Sequence, residues 1–250
     1  VRAAPNPWAL LEEAAKPGLG VLTESSEGGE DVKSLEWHRA VKRYVLPRLN
    51  GRWQAHGALL YPVPFEWLWP GLVMSTRPGS RHFSVVALTQ LLVRPFRAFS
   101  GISSIDLQRA AGWEAWVLPE SLEDAGPVME QFHERIVDVA MPFFEQHDSL
   151  TSCVALVERK VQDNPESVRD LEALFYLRVL TDDLDQALPI VDTIQALATV
   201  HAGESPWIGK LVQDVVRVAN AARNDRNEAL DILREYAEGT RAELKIRAST

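Results

Sequence analysis

The fold turns on one stretch, Gly71-Leu72-Val73-Met74-Ser75-Thr76-Arg77-Pro78-Gly79-Ser80-Arg81-His82-Phe83-Ser84-Val85-Val86-Ala87-Leu88-Thr89-Gln90-Leu91-Leu92-Val93. Two apolar runs rich in β-branched residues flank a Pro-Gly pair, the chemistry that reverses a chain. The stretch therefore predicts an antiparallel hairpin, Gly71 to Thr76 against His82 to Val93. Its apolar run ends at Arg94-Pro95, well short of the roughly 20 residues that cross a bilayer, so no membrane span is expected.

Ala58 to Val63 reads as a further strand, and Trp113 to Leu118 as another; the stretch from Phe96 to Ala111 is too irregular to assign. A small open sheet cannot bury itself, so helices must cover it. On the N-terminal side, Ser34 is a candidate cap. Trp37, Val41, Tyr44 and Val45 then recur at helical spacing toward Pro47 or Trp53. Before that, Trp8 to Lys16 suits a short helix opened by Asn6-Pro7 and stopped by Pro17-Gly18. Thr23 to Asp31 is acidic and without an apolar anchor, and reads as a solvated linker. Val1 to Gly20 lacks the pattern of a secretory signal.

From Glu120 the period is helical nearly to the end. Val128, Phe132, Ile136, Val139 and Phe143 form one apolar stripe, with Pro142 placed to bend or restart the helix. Further helices fit Leu150 to Gln162, Glu166 to Leu180, Leu184 to Val200, Pro206 to Arg223 and Arg226 to Lys245. The expected class is α+β: a small antiparallel sheet with covering helices, followed by an all-α bundle or short repeat-like half. Three regions follow: an N-terminal extension with an acidic linker (1–31), a basic Trp-rich α+β domain closed by an acidic helix (32–148), and a helical domain (149–250).

Two junctions in the helical half resemble each other. Asp182-Asp183-Leu184-Asp185-Gln186-Ala187-Leu188 aligns with Asn224-Asp225-Arg226-Asn227-Glu228-Ala229-Leu230, about 42 residues on. Leu171, Leu174, Phe175, Ala187, Val191 and Ile194 also resemble the packing positions of a tetratricopeptide helical hairpin. Asp182 replaces the common glycine, Arg217 stands where the second unit needs a small residue, and the separation is not that motif's period. A plain bundle with shared capping chemistry fits better.

The net charge of -9 conceals an asymmetry. Residues 1–31 carry -4, residues 32–118 carry +7, residues 119–148 carry -7 and the remainder -5. Six of the eight Trp lie in the basic stretch. Cations interleaved with aromatics suit single-stranded nucleic acid or a phosphorylated ligand, and Arg39, Arg43, Arg77, Arg81 and Arg97 are the candidate set. The competing arrangement docks the basic stretch against the acidic helix while the Trp rings fill the core. Packing would then hold the layers together, because an exposed ion pair contributes at most about 1 kcal/mol and a buried aromatic more. Pro62-Val63-Pro64-Phe65-Glu66-Trp67-Leu68-Trp69-Pro70 reads as an extended aromatic loop. It either plugs a core edge or offers Phe65, Trp67 and Trp69 to a partner.

Catalytic signals are absent from the sequence. His133-Glu134 opens a zinc-protease motif, but Val137 stands where the second histidine belongs. The six His lack metal-ligand spacing, Gly18-Leu19-Gly20 has neither a preceding strand nor a third glycine, and no Gly-x-Ser-x-Gly elbow occurs. Cys153 lies in an apolar helical context, suited to packing, and as a lone cysteine it points to a reducing, cytoplasmic compartment. No cofactor or metal is implied. The pattern points to a non-enzymatic protein that binds another protein, with a basic partner suiting its acidic surfaces. Anionic-ligand binding through 32–118 is the alternative.

Overall fold

The central strands alternate their side chains between two separate cores, and that alternation sets the architecture. The computed structural model describes residues 34–76, 80–94, 101–109, 116–200 and 206–246. The expected helix Trp8 to Lys16, the acidic linker, Arg77-Pro78-Gly79 of the turn, and Trp113 lie outside the described residues. The sheet contains β1 (Trp53–His56), β2 (Leu59–Pro62), β3 (Leu68–Thr76), β4 (His82–Leu91), β5 (Ser103–Asp106) and β6 (Trp116–Val117). It is antiparallel in the order β1-β2-β3-β4-β5, with β6 beside β5 on the same edge of β4. The hairpin read from the sequence is its centre, with Thr76 opposite Phe83 and Leu68 opposite Leu91.

Leu60, Leu72, Met74, Phe83, Val85 and Ala87 face one core; Leu59, Tyr61, Trp69, Leu88 and Leu91 face the other. The two-residue repeat of a strand accounts for this up to Leu88; Leu91, three residues on, joins the second core at the end of β4. The first core is roofed by α1 (Ser34–Ala40), which continues as a π turn (Val41–Val45), and by α2 (Gly126–Arg135), which runs through a second π turn (Ile136–Ala140) into α3 (Met141–Gln146). Its centre is aromatic: Phe132 meets Trp37, Phe83 and Trp116 edge-on at 6.4, 6.3 and 5.6 Å between ring centroids. Such pairs each contribute about 0.5–1.5 kcal/mol beyond their burial.

The second core is covered by α4 (Leu150–Asp163), α5 (Val168–Leu180), α6 (Leu184–Val200), α7 (Pro206–Asn224) and α8 (Arg226–Leu244). Their starts follow capping chemistry. Ser149 and Ser152 form a reciprocal box at α4, Ser167 caps α5 and Asp225 caps α8. The fold is thus α+β with a helical C-terminal part, as the periodicity predicts. Central α5 packs against α4, α6, α7 and α8, the arrangement of a bundle. The two similar junctions meet in space. Arg226 pairs with Asp182 at 2.8 Å and donates to the Leu180 carbonyl at 3.1 Å.

Three local features depart from the sequence reading. The first helix stops at a short 3-10 turn (Leu46–Arg48), the nearer of its two expected ends, and β1 occupies Trp53–His56, where no strand is expected. β3 begins at Leu68 and includes Pro70, which lacks the donor a ladder needs. It is tolerated because β2 pairs β3 only at Leu72 and Val73, so the stretch around Pro70 has a strand on one side alone. In the α2–α3 helix the π turn adds a residue, which moves burial from Val139 to Ala140.

The last residues of β4 lead into a buried ion pair. Arg94 Nε donates to Glu172 Oε2 at 2.9 Å, with side chains only 4% and 2% exposed. Thr240 of α8 donates to the Arg94 carbonyl at 3.1 Å. Burial pushes the Glu172 carboxyl above its ordinary range despite the facing guanidinium. Its ionisation therefore costs stability as pH rises from about 4.3, the unfolded value, through the folded one. Glu172→Gln strands a buried guanidinium and is expected to destabilise the fold by about 3–5 kcal/mol. In urea unfolding, Arg94→Met with Glu172→Leu is expected to recover most of that loss and, like Glu172→Gln, to lack this part of the pH dependence. A double variant no better than the single one would contradict it.

Candidate functional site

The aromatic segment after β2 is held down along its length. Trp69 is 0% exposed, lies on β3 against Tyr61 at 5.7 Å, and offers a partner no surface. Phe65 and Trp67, half-buried, pack on the same core, with Phe65 edge-on to Tyr61 at 5.9 Å. The Trp67 carbonyl accepts from the Leu92 amide at 2.9 Å. Arg241 of α8 closes the segment from outside: its guanidinium lies 5.8 Å over Phe65 and donates to the Glu66 carbonyl. The segment is a plug at the edge of the second core.

The candidate cations divide in the same way. Arg81 pairs with Glu36 at 2.8 Å and donates to the Leu118 carbonyl at 3.0 Å. Arg43 pairs with Glu123 at 3.1 Å, and Arg48 with Glu130 at 3.1 Å. Arg39 is exposed and makes no ion pair among the described residues; Arg77 and Arg97 lie outside them. The acidic stretch 119–148 thus meets the basic helix that precedes β1. Aromatic packing beneath supplies the stabilisation, because these ion pairs are open to water. Trp37, Trp69 and Trp116 are buried, so none of these rings is presented for base stacking.

What that docking leaves unpaired is the outer face of the α2–α3 helix. Met129, Phe132, Ile136, Ala140, Phe143 and Phe144 point into the core. Glu134, Asp138 and Glu145 are exposed on the other side and carry no ion pair among the described residues. Val137, 41% exposed, sits between them in sequence. Arg135, the one cation of this stretch, turns away to donate to the Gln108 carbonyl at 2.9 Å. The result is an acidic face with an apolar residue among its carboxylates, on a helix anchored by aromatic packing. In the sequence Glu134 belongs to the acidic block 119–148 and to a broken zinc motif; the four-residue spacing of Glu130, Glu134 and Asp138 is the signal that places them on one side of the helix.

Cys153 is buried, its thiol pushed up to about 11 mainly by that burial. A thiol so placed is protonated at neutral pH and is a poor nucleophile. Among the described residues no group of three or more His, Cys, Asp or Glu is placed to hold a metal ion, and no helix is long and apolar enough to cross a membrane. Comparison with family models, curated proteins and solved structures finds no match.

Two outcomes check these placements. A thiol reagent at pH 8 is expected to leave Cys153 unmodified in the native protein and to modify it fully in denaturant; rapid native labelling would contradict its burial. Trp69→Ala is expected to lower stability by about 3–5 kcal/mol, whereas Glu134→Ala is expected to change it by less than about 0.5 kcal/mol.

Proposed function

We propose that this chain is a non-enzymatic interaction protein that binds a basic protein partner through the outer face of the α2–α3 helix. One observation carries the reading: Glu134, Asp138 and Glu145, on the helix that exposes Val137, are exposed and make no ion pair among the described residues, while Glu123 and Glu130 are engaged by Arg43 and Arg48. A field of one sign steers an oppositely charged partner, and an apolar contact among the charges gives the interface a dry centre. The core beneath fixes the helix, so little ordering is needed on association. A buried, protonated Cys153 suits a reducing, cytoplasmic setting. Inhibiting or scaffolding the basic partner are the roles such a surface serves.

The test is affinity isolation of the tagged chain, compared with a Glu134→Lys/Asp138→Lys/Glu145→Lys variant and with Trp67→Ala. A basic partner is expected with the wild type and with Trp67→Ala. It is expected to be lost with the charge reversal, whose circular dichroism stays unchanged. Equal recovery by the reversed variant would overturn the reading. A labelled single-stranded oligonucleotide is expected not to bind at low salt; salt-sensitive binding would favour the basic stretch 32–118 instead.

A further inference from the structure

Two described residues other than glycine hold left-handed backbone, Asp182 at φ 63° and Lys245 at φ 53°. That conformation crowds Cβ against the following carbonyl and favours glycine. Asp182 is held by its ion pair with Arg226 at 2.8 Å. Lys245 closes α8: its amide bonds the Ala242 carbonyl at 3.2 Å, and the Ile246 amide bonds the Arg241 carbonyl at 3.1 Å. Ile246 then folds back into the second core. Glycine would make this closure with less strain, so the backbone does not account for the lysine. The Lys245 side chain is exposed and makes no ion pair among the described residues.

Lys245 stands on the rim of a cleft of about 640 Å³ between β1 and the end of α8. The cleft is lined by Gln54, His56, Tyr61, Arg241, Lys245 and Ile246, among others, and no carboxylate lines it among the described residues. Gln54 and His56 alternate on β1 and so share a face of the strand. Arg241 is fixed in place by Phe65 and the Glu66 carbonyl, and its Nε is buried without a hydrogen-bond partner. The cleft therefore gathers a guanidinium, an ammonium, an imidazole and an amide.

We propose that this cleft binds the phosphate group of a small phosphomonoester. Two permanent cations, with no carboxylate beside them among the described lining residues, match a dianion. The volume exceeds that of a phosphate alone and lies within the range of about 300–1,000 Å³ typical of ligand sites, which leaves room for an organic body. Nucleotides and sugar phosphates share this chemistry. The proposal is independent of the acidic face on the α2–α3 helix.

Calorimetric titration of the full chain with inorganic phosphate, AMP and glucose 6-phosphate at low salt tests it. At least one phosphomonoester is expected to bind with Kd of about 1 mM or tighter, more weakly as salt rises. Tighter binding of AMP identifies a nucleotide site, and of the sugar phosphate a sugar-phosphate site. Lys245→Gly is expected to weaken binding at least about tenfold while raising Tm, and Lys245→Arg to retain it. No saturable binding by either phosphomonoester overturns the proposal, as does wild-type affinity in Lys245→Gly. Lost binding with a lowered Tm overturns it too, because the lysine would then be serving the fold.

Discussion

The two-sided burial of β4 is the constraint on which the rest depends. Phe83, Val85 and Ala87 face the aromatic core under α1 and α2, while Leu88 and Leu91 face the core built with α4–α8. At the end of the strand Arg94 enters the helical layer and meets Glu172, within a run of α5 that is buried from Leu171 to Leu177. A buried pair of this kind is weak evidence for stability, because desolvation offsets the attraction. In this register Arg94 Nε meets Glu172 Oε2 at 2.9 Å, a match of groups that apolar packing alone does not require.

With the sheet fixed on both faces, the two surfaces of interest are positioned by packing. The acidic face of the α2–α3 helix points outward because its opposite side carries Phe132, Ile136 and Phe143 into the first core. The cleft beside β1 is held open by elements that belong to the second core, Tyr61 on one wall and Ile246 on the other. The net charge of -9 is distributed accordingly. The basic stretch is partly neutralised by the helix over it, at Arg43 and Arg48, and a share of the acidic charge remains to face outward.

The hairpin and the five C-terminal helices were legible in the sequence through local signals: Pro-Gly at the turn, the polar junctions Asp182-Asp183 and Asn224-Asp225, and 3.6-residue periods in the helices other than α5, which is buried throughout Leu171 to Leu177. Pro47 marks the end of the first helix, but nothing local makes Trp53–His56 a strand, which is defined by pairing with β2. Trp69 was ambiguous for a similar reason. The prolines around it suggest a loop, and only the single-sided pairing of β3 around Pro70 shows that a strand can hold it there. The charge blocks were visible, but which carboxylates pair and which stay free depends on how helix turns face each other. The π turn at Ile136–Ala140 changes that phase by one residue, with no marker in the sequence beyond the nearby Pro142.

Residue-resolved native-state hydrogen exchange tests most directly whether one sheet serves both helical layers. The account predicts that the slowest amides of α2, β4 and α5, around Phe132, Ala87 and Leu174, exchange with the same opening free energy and the same denaturant dependence, that of global unfolding. Exchange of the α4–α8 amides through a separate, lower-energy opening, with β4 and α2 still protected, would contradict it.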